Sequence, residues 1–237
     1  MPLPKLSVPE YELNLPSNGQ LVKYRPFLVK EEKVLMIAME TGDEKSMITA
    51  VKSIIKNCTN LKQKVEELPT FDIEYVFLKL RAKSVGESVD IRVTCTDDNE
   101  TMVDHTVDLS KVEVIKPEDH STTIDLGDNI GMIMKYPSLD VFVKNNFGDG
   151  ANEIDTIFEL TIGCVDKVYE GDEVWEAKDV SKKELTEFLE GMNTDQFQKV
   201  QMFFETMPKL SHTIKVTNPN TGVESDIVLE GLGAFFG

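Results

Sequence analysis

"VTNPNTGVESDIVLEG", residues 216–231, has the form of a β-hairpin. Alternating apolar positions flank Asn218-Pro219-Asn220-Thr221-Gly222, the pattern of two short antiparallel strands joined by a turn that needs a positive φ at its glycine. Turns of this shape often carry a metal-binding cysteine pair, and this one has no cysteine. Tetrahedral zinc takes four N or S ligands, so two such hairpins with paired thiolates would be required. The comparable hairpin, "SVDIRVTCTDDNETMVDHTVDL" (88–109), supplies only Cys95, with Asp98 and His105 as weak candidates. No metal site is expected, and Cys95 reads as a half-buried strand residue.

Working outward, "YELNLPSNGQLVKYRPF" (11–27) is another hairpin, turning at Pro16-Ser17-Asn18-Gly19. "VKEEKVLMIAME" (29–40) and "DEKSMITAVKSIIKNC" (43–58) place Val34, Leu35, Ile37 and Ala38, then Ile48, Val51, Ile54 and Ile55, at helical spacing on either side of Thr41-Gly42. After Pro69, "TFDIEYVFLKLRAKS" (70–84) puts Phe71, Tyr75, Leu78 and Ala82 on one helical face, with Thr70 and Asp72 as candidate caps. The second half runs through the same order. "TTIDLGDNIGMIMKYP" (122–137) is a hairpin, 148–164 can be laid without gaps on 42–58, and a helix at 194–207 leads into the opening hairpin with Asn218 opposite Cys95. The expected fold is therefore α+β with an internal duplication, each half hairpin, helices, hairpin, and a degenerate zinc-ribbon-like final hairpin. The expected units are 1–117 and 118–237, the second carrying an insertion around 169–191 in which Ser181 and Glu184 form a capping box.

Composition sets outer limits. Of 237 residues, 41% are hydrophobic and 28% charged, so the chain can bury a substantial core. No targeting segment or membrane-length apolar run is visible, which predicts a soluble protein of cytoplasmic origin. Three widely spaced cysteines argue for reduced thiols. A net charge of −17, spread along the chain, repels phosphate backbones and anionic lipid. Neither nucleic acid nor membrane is an expected partner; a basic or neutral protein is.

Reaction chemistry is not expected either. The three histidines, His105, His120 and His212, lie outside any Gly-x-Ser-x-Gly elbow or His-Glu-x-x-His helix, and no phosphate-binding lysine loop is present. Gly148-Asp149-Gly150 reads as a helix-entry turn. Adjacent acids such as Asp97-Asp98 follow from having 42 acidic residues and lie in no evident apolar pocket. The reading is non-enzymatic, with no catalytic residues, cofactor or metal.

"LPSNGQLVKYRPFLVKEEKVLMIAME" (15–40), "LPTFDIEYVFLKLRAKSVGE" (68–87), "FFETMPKLSHTI" (203–214) and "LEGLGAFF" (229–236) together resemble the baseplate protein family of T-even-type contractile-tailed bacteriophages. The resemblance covers nearly the whole chain. It implies an assembly role: binding other phage baseplate hub or tail proteins in the host cytoplasm during tail morphogenesis, as a transient assembly protein or alternatively as a permanent component of the virion baseplate. Self-association as an oligomer is the discriminating observation: a chain that oligomerises alone favours the permanent component, and one that is monomeric and stable in solution favours the transient assembly protein. Members of that family tend to carry Cys-Pro-x-Cys-Gly before the final strand, so Asn218 and Thr221 stand where thiolates would be. The turn-forming Pro219 and Gly222 are kept, and Asx-type hydrogen bonding can hold the turn without metal.

Candidate interface residues follow from residue type. Phe235 and Phe236, at a terminus that is ordinarily polar, either dock into the protein's own core or anchor a partner. Tyr24, Arg25 and Arg81 belong to the residue types enriched in interfaces, with an intramolecular salt bridge as the alternative role of the arginines. Trp175, the single tryptophan, either anchors a partner or pins its acidic loop to the core.

Overall fold

The computed structural model describes residues 6–41, 44–138 and 153–236, apart from the side chains of residue 44, of 153–157 and of Phe236. The fold is α+β, with small antiparallel sheets beside helices. Two compact units are present: the chain up to Ile115 together with everything from Lys209 on, and Lys116–Pro208 between them. The expected division at 117 and 118 thus meets a different arrangement at the far end, because residues 209–237 return to the first unit.

In the first unit, β1 (Tyr11–Asn14) pairs with β2 (Leu21–Tyr24), and three helices follow: α1 (Val29–Thr41), α2 (Glu44–Cys58) and α3 (Thr70–Ser84). Next come the hairpin β3 (Ser88–Thr94) with β4 (Met102–Asp108), and the short β5 (Glu113–Ile115). The returning chain forms β10 (Lys209–Thr217) and β11 (Glu224–Glu230), then the final turn of helix α7 (Gly233–Phe236). β10 sits between β11 and β5, with Leu210 opposite Val114, which is why the last hairpin belongs here.

Three turns in this unit share one construction. In Leu15–Gly19, Cys95–Asn99 and Asn218–Gly222 the fifth residue's N–H donates to the first residue's carbonyl, at 2.8, 3.0 and 2.8 Å. That fifth residue has φ of 71° at Gly19, 56° at Asn99 and 74° at Gly222, the left-handed region glycine and asparagine tolerate. In each turn the fourth side chain, Asn18, Asp98 or Thr221, accepts from the backbone N–H two residues on.

Helix α3 is buried on nearly all sides, with Phe71, Leu78 and Ala82 enclosed and Tyr75 half-buried. The expected caps are not used. Pro69 occupies the N-cap without a side-chain bond, and the buried Asp72 instead accepts from the Ser17 N–H at 3.0 Å and hydroxyl at 2.5 Å, tying the first turn to the helix. One core joins Leu78, Cys95, Val107, Leu210, Leu229 and Phe235.

The second unit is a four-stranded meander, β6 (Thr123–Gly127), β7 (Ile130–Met134), β8 (Val165–Glu170) and β9 (Glu173–Glu176), with helices α4 (Glu153–Cys164), α5 (Lys182–Glu190) and α6 (Thr194–Thr206). Met132, Cys164, Leu185, Val200 and Phe203 meet in its core. The region read as an insertion supplies β9 and α5, and the capping box of Ser181 and Glu184 is in place. A second box, Asn193 with Gln196, starts α6. The opening of the correspondence between 42–58 and 148–164, residues 42–43 and 148–152 with Gly148-Asp149-Gly150 among them, falls outside the residues described, so the duplication rests on sequence pattern alone.

Candidate partner-binding surface

α1 carries apolar residues all round, and a helix of that kind ordinarily lies inside a protein. Here it docks through a narrow stripe, Glu31, Leu35 and Ala38, spaced four and three residues apart. Met36 is 57% exposed, Ile37 51% and Met39 59%, with Val29 and Val34 also in solvent. Sequence spacing had placed Val34 and Ile37 on the packed face with Leu35 and Ala38. The structure buries Ala38, half-buries Leu35 and leaves the other two outside.

The docking stripe is held electrostatically at its first turn. Burial alone would push the Glu31 carboxyl up, but the Arg25 guanidinium at 3.0 Å and the Leu28 N–H at 2.9 Å outweigh it and hold Glu31 below its ordinary range. Arg25 also donates to the carbonyls of Pro26 and Asn57, so it clamps β2 and α2 to the start of α1. The salt-bridge alternative is therefore the role the structure gives Arg25.

Beside the exposed face runs an apolar groove of about 480 Å³, to which α1 gives Leu35 and Met39, α2 Met47 and Val51, and α3 Phe77 and Arg81. Burial lowers the pKa of the Arg81 guanidinium, and the Glu32 carboxylate opposes that shift. Two flexible methionines on the lip suit a surface that adapts to a partner.

The other sequence candidates separate by burial. Phe235 is wholly enclosed in the core of the first unit and lines the floor of the groove, so the chain end serves as packing. Phe236 lies in α7, and its side chain is outside those described. Tyr24 is buried against Tyr11, with ring centroids 5.6 Å apart, and burial raises its hydroxyl pKa. Neither Phe235 nor Tyr24 presents an aromatic anchor, because each fills space left by neighbouring strands and helices. Trp175 remains 42% exposed on β9, next to the exposed Val174 and over a concavity shared with Val168 and Phe188. Met36 and Met39, missing from the sequence candidates, carry the exposed surface together with Ile37; consecutive apolar residues on a helix that needs only one face were the available signal.

The tips of the β3–β4 and β10–β11 hairpins meet. The Asn218 amide nitrogen lies 3.0 Å from Asp97 Oδ1 and 2.9 Å from Asp98 Oδ2, and the Thr221 hydroxyl lies 2.6 Å from Asp97 Oδ2. Among the described residues no group of three or more His, Cys, Asp or Glu side chains is arranged to hold a metal ion.

A family model of the T4 bacteriophage base plate protein matches residues 8–237, which takes in α1, the groove and both tips. The chain belongs to this family. A relative in Enterobacteria phage T4, the baseplate hub assembly protein gp26, is 25% identical over 230 residues, covering 96% of this chain and 98% of that protein. No solved structure matches the chain. No helix among the described residues is long and apolar enough to cross a membrane.

Proposed function

We propose that this chain is a non-enzymatic baseplate hub assembly protein that binds other hub or tail proteins in the host cytoplasm while the tail is built. The observation that carries the reading is the exposed apolar face of α1 beside its groove, an area water covers at a cost and a partner covers at a gain. The T4 relative's name points to the same stage of morphogenesis. Burial pushes the Cys58 and Cys164 thiols up to about 11 and about 12, so neither is a thiolate nucleophile near neutral pH, in keeping with a binding role.

The same face favours a second reading. Permanent subunits also meet through large apolar surfaces, and a component retained in the virion baseplate would present this one. The test of binding itself is affinity capture of the tagged chain from infected cells, with the α1 surface intact or made polar. Hub or tail proteins should co-purify with the intact chain and be lost from the polar variant. Equal recovery from both, or capture of no tail protein, would sink the proposal.

A further inference from the structure

The turns Cys95–Asn99 and Asn218–Gly222 have the same backbone construction and face each other, so their first and fourth residues, Cys95, Asp98, Asn218 and Thr221, stand at the C-x-x-C spacing from which paired knuckles present four ligands to zinc. The donor set does not fit an ion. Asn218 Oδ1 accepts from the Asn220 N–H at 2.8 Å and the Thr221 N–H at 3.4 Å, which fixes the amide's orientation. Its Nδ2 therefore faces the opposite tip, 3.0 and 3.1 Å from the two Asp97 oxygens and 2.9 Å from Asp98 Oδ2. An amide N–H is a donor and cannot ligate a cation.

We infer that the two tips form a metal-independent clasp in which the Asn218 amide takes the central place. Asn218 is 1% exposed, so its two N–H groups have no water to bond and are satisfied by the carboxylates. The Thr221 hydroxyl donates to Asp97 at 2.6 Å, and the Asn220 amide donates to Thr101 Oγ1 at 2.9 Å. Two carboxylates are thus balanced by neutral donors: the Asn218 amide and Thr221 hydroxyl hold the Asp97 carboxyl below its ordinary range, while Asp98 is held low first by the Thr101 hydroxyl and the Thr101 and Glu100 N–H groups of its own turn and then by Asn218. The clasp joins hairpins more than a hundred residues apart in sequence and closes the end of a core that includes Cys95 and Val216. This inference is independent of the assembly role.

The full-length protein, the Asn218→Asp variant and the Asn218→Asp/Asp97→Asn double variant are compared by metal analysis and by thermal melting with EDTA and with added zinc. The clasp predicts that the wild-type protein carries no stoichiometric zinc and melts at the same temperature under all conditions. Asn218→Asp sets three carboxylates together and should lower Tm by roughly 5 °C or more, while the double variant, which again pairs an amide with a carboxylate, regains part of the loss. About one zinc per chain with a Tm that falls on chelation would overturn the inference. So would an Asn218→Asp variant as stable as wild type in EDTA, or a double variant less stable than the single. If Asn218→Asp does not fold, the wild-type metal content and chelator response decide the matter.

Discussion

Replacing Met36, Ile37 and Met39 together with glutamine strips the α1 face of its apolar character while leaving the helix intact. Glutamine matches methionine in helix propensity and exceeds isoleucine, so the backbone has no reason to change. The residues are 57, 51 and 59% exposed, so roughly half of each side chain is still available for a partner to cover. Full burial of a side chain of this size is worth about 1.5–3 kcal/mol, which leaves about 1 kcal/mol per residue and about 3 kcal/mol for the three. At about 1.4 kcal/mol per tenfold change, affinity for the partner should fall roughly 100-fold. Thermal stability should move little, because surface substitutions of this kind stay within about 0.5 kcal/mol each. The assay is complementation of a phage lacking the gene, scored by plaque formation and by the yield of complete baseplates, with a melting curve of the purified variant alongside. A variant that melts like wild type and complements fully would refute the reasoning, since it would show that nothing covers this face during assembly.

The second unit should weaken in mild acid through His120. Its Nδ1–H donates to Thr206 Oγ1, whose own proton goes to the Met202 carbonyl, and its Nε2 accepts from the Tyr136 hydroxyl, both ring contacts at 3.0 Å. Burial lowers its pKa below 6.5, so the unfolded chain takes up the proton first, and stability present above that pH is lost as pH falls below it. Melting curves of wild type and His120→Phe should diverge in pH dependence below about pH 6.5; parallel curves would contradict this. In the first unit, burial pushes the Glu74 carboxyl up to about 7, against the Leu232 N–H that favours the ionised form. The neutral acid is the form the fold prefers, so its contribution is complete below 4.5 and lost as pH rises through about 7. Glu74→Gln should therefore raise Tm at about pH 8 and lose that advantage near pH 5; a variant that melts earlier at the higher pH would count against the assignment. Phe235→Ala removes a fully enclosed ring and should cost about 3–5 kcal/mol in denaturant titrations. Trp175→Ala, at a half-open site, should cost no more than about 1.5 kcal/mol, and a reversal of that order would misplace the core.

The three hairpin turns were legible in sequence because their residues fix the backbone: proline second and glycine fifth in Leu15–Gly19 and Asn218–Gly222 leave few other conformations. The capping box at Ser181 was legible for the same local reason. Long-range pairing was not. Nothing in "KLSHTI" announces that β10 takes Val114 opposite Leu210, across some ninety-five residues of intervening chain, and the last hairpin was accordingly assigned to the second unit. β9, four residues of "EVWE", is too short and too acidic to declare itself, and it becomes a strand only through its ladder with β8. The exposed face of α1 was half legible. Apolar spacing in α1 identified a helix, but a helix with apolar residues on every side gives no period from which to choose the buried stripe. That choice falls to Glu31, a charged residue that packs inward because Arg25 and the Leu28 N–H await it. Asn218 shows the same limit from the other side, since a turn residue read as a lost ligand acquires its role only when Asp97 and Asp98 arrive from another hairpin.

Transient action in the baseplate hub is tested by quantitative mass spectrometry of purified phage particles beside unassembled baseplate intermediates from infected cells. A hub assembly protein should be abundant in the intermediates and absent from mature particles. Fixed copy number in mature particles would contradict transient action and establish a permanent baseplate component, and presence in neither would contradict the baseplate role.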